Sequence, residues 1–334
     1  MNQHSRFSRR DFLAGTAAMT LAPLCPTRAW ANSALTDLDA VEAVRAMQTG
    51  EIRSEDYVRA LLARCEELRH LNTFISLDSQ LVLETARASD RARSGGAALG
   101  PLHGLPLAVK DSIHTSDYPT TAGTNALRNY RPQRDATVVA ALRRAGGIVL
   151  GKTNLHELSY GYTSNNEAFG PVRNPYDPNR IPGGSSGGTA AAVAARMAPC
   201  GLAEDTCGSI RVPAALCGIA GLRPTTPRYP QSGVVPITPK FDQVGPHARS
   251  VRDLALIDSV ITRDGTPLNP PRLAGTRIGV PRAYFWEDLD PEVARIAEET
   301  LGKLRDSGAV LIEADVPDIG KLSSAANWSI LLYE

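Results

Sequence analysis

Gly104-Leu105-Pro106-Leu107-Ala108-Val109-Lys110-Asp111 is the stretch on which the fold turns. Leu105 to Val109 is short and apolar without alternation, the pattern of a strand buried on both faces. Toward the C-terminus, Thr137 to Ala145 reads as a helix, Gly146-Gly147 ends it, and Ile148 to Leu150 is a second short apolar run. Strand, helix and strand with loops between them predict an α/β fold around a largely buried sheet. Toward the N-terminus the chain is helical. Thr36 is placed to cap a helix through Ala46, with Asp39 three residues on and Gly50 as its stop. Ser54 is placed to cap a second helix, whose Val58, Leu61, Leu62, Cys65 and Leu68 share one face. Phe74 to Leu77 reads as a strand, and a third helix runs over roughly Gln80 to Ala92. Farther on, Ser250 and Asp253 open a capped helix, Arg277 to Val280 is a strand, Pro291 to Leu304 a helix and Ala309 to Ile312 a strand. Ser323 to Glu334 reads as a helix with no C-cap Gly, no Pro and no polar tail, so the C-terminal part of the domain is expected to be missing.

Composition narrows the function classes. Hydrophobic residues make up 43% and charged residues 21%, the balance of a soluble globular chain. A formal charge of +1 gives no reason to expect nucleic acid or an acidic surface as partner. No apolar run reaches the roughly 18 residues of a membrane span. The first 31 residues have the layout of an export signal: Ser8-Arg9-Arg10-Asp11-Phe12-Leu13, a mildly apolar Ala/Gly-rich middle, then Ala29-Trp30-Ala31. Paired arginines before Phe-Leu resemble a twin-arginine signal, which implies a periplasmic or secreted protein beginning at Asn32. Cys25 would leave with that segment. The remaining Cys65, Cys200, Cys207 and Cys217 form neither a disulfide framework nor a C-x-x-C zinc pair. No H-E-x-x-H pattern occurs, so no metal or cofactor is expected.

Three segments carry chemistry. Lys110 follows an apolar strand. A lysine buried there has its ammonium disfavoured and can serve as a general base, while a strand-end lysine that snorkels to water cannot. Pro182-Gly183-Gly184-Ser185-Ser186-Gly187-Gly188-Thr189 runs straight into an alanine-rich helix near Ala190, unlike a flexible linker. It fails the phosphate-loop pattern, because no lysine separates Gly188 from Thr189. Glu204-Asp205-Thr206-Cys207-Gly208-Ser209-Ile210-Arg211-Val212-Pro213 places Ser209 at a junction between glycine and helix, with Pro213 suited to a first turn. Amides near a helix start can hold a developing oxyanion. A plain N-cap serine is the alternative for this segment alone.

Together the three resemble the amidase signature family: a lysine after an apolar strand, a Gly-Gly-Ser-Ser-Gly-Gly stretch, and Asp-Thr-x-Gly-Ser-Ile-Arg placing Ser209 24 residues after Ser185. Asn174-Pro175-Tyr176 and Gly245-Pro246-His247-Ala248-Arg249-Ser250-Val251 extend the resemblance, which is densest over 104 to 224. It implies an α/β fold with a mixed sheet flanked by helices on both faces, forming one domain over 32–334. It also implies Lys110 as base, Ser185 as a relay on a cis peptide and Ser209 as nucleophile of an acyl-enzyme mechanism. The N–H groups of Thr206, Cys207, Gly208 and Ser209 would form the oxyanion hole, with Asp205, Arg211 and Ser186 as loop support. The substrate class implied is a small carboxamide plus water. The first part of the chain is most similar to members acting on aryl or arylacetic primary amides, such as mandelamide or indoleacetamide hydrolases. Where this chain has Cys207 most members have Gly, so a positive φ there would strain the loop. Cys207 is also a rival nucleophile in principle.

Three other readings stand beside this one. Ser185 and Ser186 both fit G-x-S-x-G, and His247 is the one later histidine that a Ser-His-Asp hydrolase could use. The family also includes the glutaminase subunit of a tRNA amidotransferase, against which the export signal argues. An inactive, non-catalytic fragment is the third. A homodimer is left open.

Overall fold

The computed structural model describes residues 32–266, 269 and 272–321. The proposed signal at 1–31 and the terminal helix expected at 323–334 lie outside the described residues. The chain opens with helices α1 (Asn32–Asp37), α2 (Ala40–Thr49) and α3 (Ser54–Glu67), then strand β1 (Phe74–Ser76) and helix α4 (Ser79–Ser94). Strand β2 (Pro106–Lys110), α5 (Thr137–Arg144) and β3 (Ile148–Thr153) form the expected β-α-β unit. Next come α6 (Gly187–Ala194), β4 (Cys200–Asp205), α7 (Arg211–Leu216), β5 (Ala220–Gly221), β6 (Gln243–Ala248) and α8 (Val251–Thr262). Then β7 (Arg277–Val280), α9 (Pro291–Asp306) and β8 (Val310–Glu313) follow.

Two caps differ from the sequence reading. Thr36 lies inside α1, and Asp39 caps α2 in a reciprocal box with Glu42. Ser54 starts α3 without capping it. The carboxylate of Asp90 on α4 accepts from the Ser54 and Glu55 amides at 2.8 and 3.0 Å, leaving the Ser54 hydroxyl to donate to the Gly104 carbonyl. A cap supplied from a distant helix leaves no local pattern.

Six strands form one mixed sheet in the order β1-β3-β2-β4-β6-β5. β2 runs parallel to both β3 and β4, while β1, β5 and β6 pair antiparallel. Leu107 and Val109 pack on one face with residues of α2, α5 and α8. Ala108, Ile148 and Leu150 pack on the other with Val58 of α3 and Val82 and Ala86 of α4. This is the expected mixed sheet between two helical layers. β2 and β4 are fully buried and lie side by side, so their C-terminal ends, Lys110 and Glu204-Asp205, meet inside the molecule. The small side chains of α6 let that helix sit against β2 and β4 with Gly187 to Val193 all buried. At Gly188 a Cβ would come within 2.2 Å of the Asn154 carbonyl oxygen. The glycine there is therefore a requirement of packing, not of flexibility. β7 and β8 form a separate two-stranded parallel sheet beside α9, a helix with no buried residue.

Candidate active site

Lys110 is fully buried, as the strand-end reading requires. Its Nζ donates to Ser185 Oγ at 2.7 Å and forms an ion pair with Glu204 Oε2 at 3.0 Å. Burial lowers the Lys110 pKa below the ordinary lysine value, and the Glu204 carboxylate works against that shift. Ser185 follows a cis Gly184–Ser185 peptide and lies just before α6. Its carbonyl is held by the His156 amide and the Ser164 hydroxyl, at 3.1 and 3.2 Å. Ser186 ties the segment to the next strand: its amide donates to the Ser209 carbonyl at 3.2 Å and its hydroxyl to the Glu204 carbonyl at 3.0 Å.

The loop after β4 is organised by one carboxylate. Asp205 Oδ1 accepts from the Gly208 amide at 2.7 Å, and Oδ2 accepts from the Ile210 amide at 3.0 Å. Arg211 adds Nε and Nη2 contacts of 3.0 Å each, and Arg223 pairs at 3.3 Å. Burial alone would raise the Asp205 pKa, but Arg211 and the amides outweigh it and hold the carboxyl below its usual value. Gly208 has φ +140°, a backbone that favours glycine, and a Cβ there would meet Val212 at 3.1 Å.

Ser209 lines a cleft with Thr206, Cys207, Ser159, Tyr160, Gly161, Tyr162 and Ile237. The Ser209 hydroxyl has no hydrogen-bond partner among the described residues, so the Lys110–Ser185 contact is formed while a Ser185–Ser209 hydroxyl contact is not. The Gly208 amide, expected among the oxyanion donors, donates to Asp205 Oδ1 at 2.7 Å, while Thr206, Cys207 and Ser209 line the cleft. One expectation is corrected. Cys207 does not adopt a positive φ; the positive φ falls on Gly208, so the cysteine adds no backbone strain. Burial, with Asp205 adding to it, raises the Cys207 thiol above its usual pKa, which disfavours the thiolate a rival nucleophile needs.

His247 lies in β6, fully buried, with Nε2 2.8 Å from the Ile210 carbonyl. Burial lowers its pKa to about 4. It braces the Ser209 loop through a backbone carbonyl and hydrogen-bonds neither Ser185 nor Ser186, contrary to the triad alternative.

Sequence reasoning missed Glu204 and Asp242. Thr206 Oγ1 lies 2.9 Å from Glu204 Oε1 and 2.6 Å from Asp242 Oδ1, extending the Lys110 ion pair into a buried polar chain. Glu204 carried a signal, as an acid closing an apolar strand beside Asp205. Asp242 is far off in sequence and carried none.

The Amidase family profile matches residues 56–334. The chain is 44% identical over 288 residues to the indoleacetamide hydrolase of Agrobacterium vitis, which covers 85% of this chain and 61% of that protein. It is 42% identical over 295 residues to a glutamyl-tRNA(Gln) amidotransferase subunit of Chloroflexus aurantiacus, covering 84% and 61%. Among solved structures, the peptide amidase from Stenotrophomonas maltophilia superposes with a TM-score of 0.78 at 34% identity, covering 86% of this chain and 64% of that one. The chain therefore belongs to the amidase family. It spans 61% of the length of the indoleacetamide hydrolases it matches.

Proposed function

We propose that this protein hydrolyses the C–N bond of a small carboxamide, with Ser209 as nucleophile, Ser185 as proton relay and Lys110 as base. The observation that carries the reading is the buried 2.7 Å contact from Lys110 Nζ to Ser185 Oγ beside a cleft that holds Ser209. Neutral Lys110 takes a proton from Ser185, which takes one from Ser209 as that hydroxyl attacks the amide carbonyl. Thr206, Cys207 and Ser209 supply main-chain N–H groups around the oxyanion, each well-aimed donor worth on the order of 3 kcal/mol. The relay returns a proton to the leaving ammonia or amine, and water releases the acid by the same path.

Tyr160, Tyr162 and Ile237 at the cleft favour an aryl or arylacetic acyl group. The similarity to indoleacetamide hydrolases points the same way. The twin-arginine-like start supports export to the periplasm and a free small substrate over a tRNA-bound one. N-terminal sequencing of the periplasmic protein checks this; a chain that keeps its first residues and stays in the cytoplasm overturns it.

Ammonia release from a panel of aryl, arylacetic and aliphatic amides tests the main reading. Activity on aryl amides that disappears in Ser209→Ala is expected. Hydrolysis that survives Ser209→Ala refutes Ser209 as nucleophile.

A further inference from the structure

Thr206 stands between two carboxylates with one hydroxyl proton for both. Its Oγ1 is 2.9 Å from Glu204 Oε1 and 2.6 Å from Asp242 Oδ1, and all three side chains are buried. The sheet explains the meeting. The last pair in the β4–β6 ladder is Asp205 with Gln243, and one step further along an antiparallel register sets Thr206 opposite Asp242. Each close oxygen–oxygen contact needs a hydrogen between its atoms. Thr206 supplies one. With both acids ionised, the second contact would press a hydroxyl lone pair against a buried anion, a costly arrangement.

We propose that Asp242 is protonated at neutral pH and donates to Thr206, which donates to Glu204, making Asp242 a positioning residue that fixes the Glu204 carboxylate against Lys110. The protonation stands on geometry alone; its catalytic consequence rests on the reading of Lys110 as base.

The proton belongs on Asp242 and not on Glu204. Glu204 Oε2 accepts from Lys110 Nζ at 3.0 Å, so both Glu204 oxygens act as acceptors, Oε1 toward Thr206. Asp242 Oδ2 accepts the Ile237 and Thr238 amides at 2.8 and 3.0 Å, contacts that favour the anion but that a neutral acid's carbonyl oxygen still makes. Burial, with Glu204 adding to it, raises the Asp242 pKa against the hydrogen bonds it receives. Among the described residues, the charged and titratable groups that face it include Lys110 from β2, Glu204 from β4 and Cys207 from the loop, with Asp205 on β4 adjoining Lys110. Asp205 is already matched by Arg211 and Arg223, and Arg223 Nη2 donates to the Phe241 carbonyl beside Asp242. Lys240, two residues earlier, is exposed. With Asp242 neutral, the carboxylate in direct contact with Lys110 among the described residues is that of Glu204, while Asp205 acts on it from farther off. Loss of that proton would add a second buried negative charge, hold Lys110 as ammonium and remove free amine from the relay.

The test uses the whole chain with carbon-13 in the aspartate carboxyls, read by NMR across a pH series, beside Asp242→Asn and Asp242→Ala. One aspartate carboxyl should keep the protonated chemical shift through neutrality and be missing in Asp242→Asn. The asparagine amide can donate to Thr206 and accept from the same two amides, so Asp242→Asn should retain at least about tenfold more hydrolysis than Asp242→Ala. In the parent, the rise of activity with pH should level off as Asp242 ionises, and in Asp242→Asn it should continue. An Asp242 signal that is carboxylate at neutral pH, or an asparagine variant as damaged as the alanine one, overturns the proposal. Were amide hydrolysis absent from every form, the hydrolase reading would fail while the carboxyl signal still decided this one.

Discussion

Lys110 at the end of β2 and Lys152 in the adjoining β3 invite comparison. Both are fully buried, both pair with a carboxylate, at 3.0 Å to Glu204 and 2.9 Å to Asp111, and burial lowers the pKa of both. They differ in what takes their remaining protons. Lys152 donates to the Pro119 carbonyl at 3.1 Å and the Thr120 hydroxyl at 2.8 Å, while Asp111 accepts from the Thr121 amide and hydroxyl. That arrangement pins the loop after β2 to β3. Lys110 instead donates to Ser185, whose neighbouring segment borders the cleft of Ser209. A buried lysine with an acid partner is therefore not yet a base. Under the proposed function, what distinguishes the two is that the hydroxyl Lys110 meets belongs to Ser185, beside the Ser209 segment, while Lys152 meets Thr120.

The largest effect expected from this comparison is on turnover. Lys110→Met should lower amide hydrolysis by about a thousandfold, and Lys152→Met by less than about tenfold per folded molecule. Equal losses measured on the same amide would erase the distinction. The next effect is on stability: Lys152→Met strands a buried Asp111 carboxylate and should cost about 3–5 kcal/mol in urea unfolding, part of it recovered by adding Asp111→Asn. No recovery would mean that the pair does not carry the loop. The third effect is on pH dependence. Burial lowers the Lys110 pKa and the proposed function makes the free amine the active form, so activity should climb with pH through neutrality, and Lys152→Met should keep that climb. A profile flat from about pH 6 to 9 would count against Lys110 as base.

The smallest effect on turnover belongs to His247, which braces Ile210 without touching either serine. His247→Gln should change turnover by less than about fivefold; near-total loss would revive the Ser-His-Asp alternative. Its folded pKa of about 4 lies below the ordinary 6.5. Its contribution is thus whole above pH 6.5 and is lost as pH falls toward 4, about 3 kcal/mol that the glutamine variant should no longer lose.

Much of this was legible in the sequence because it is local. The apolar run ending in Lys110 gave a buried strand, Gly146-Gly147 the break before β3, and Ser250 with Asp253 the cap of α8. The Gly-Gly-Ser-Ser-Gly-Gly and Asp-Thr-x-Gly-Ser-Ile-Arg stretches placed the two serines. What stayed hidden depends on register across the sheet. Asp90 capping α3, Glu204 reaching Lys110, and Asp242 arriving opposite Thr206 all join residues that no periodicity links. The Cys207 question was set at the right loop and one residue early, since the left-handed geometry falls on Gly208.

Asp205 gathers the Gly208, Ile210 and Arg211 amides and two guanidinium groups, and Cys207 contributes nothing to that gathering. A loop knotted at one point is free to differ elsewhere along its length. Position 207 is thus where a lineage, or a mutant library, can change the texture of the cleft wall while the knot stays tied. Substitutions at 205, 208 or 211 would undo the loop itself.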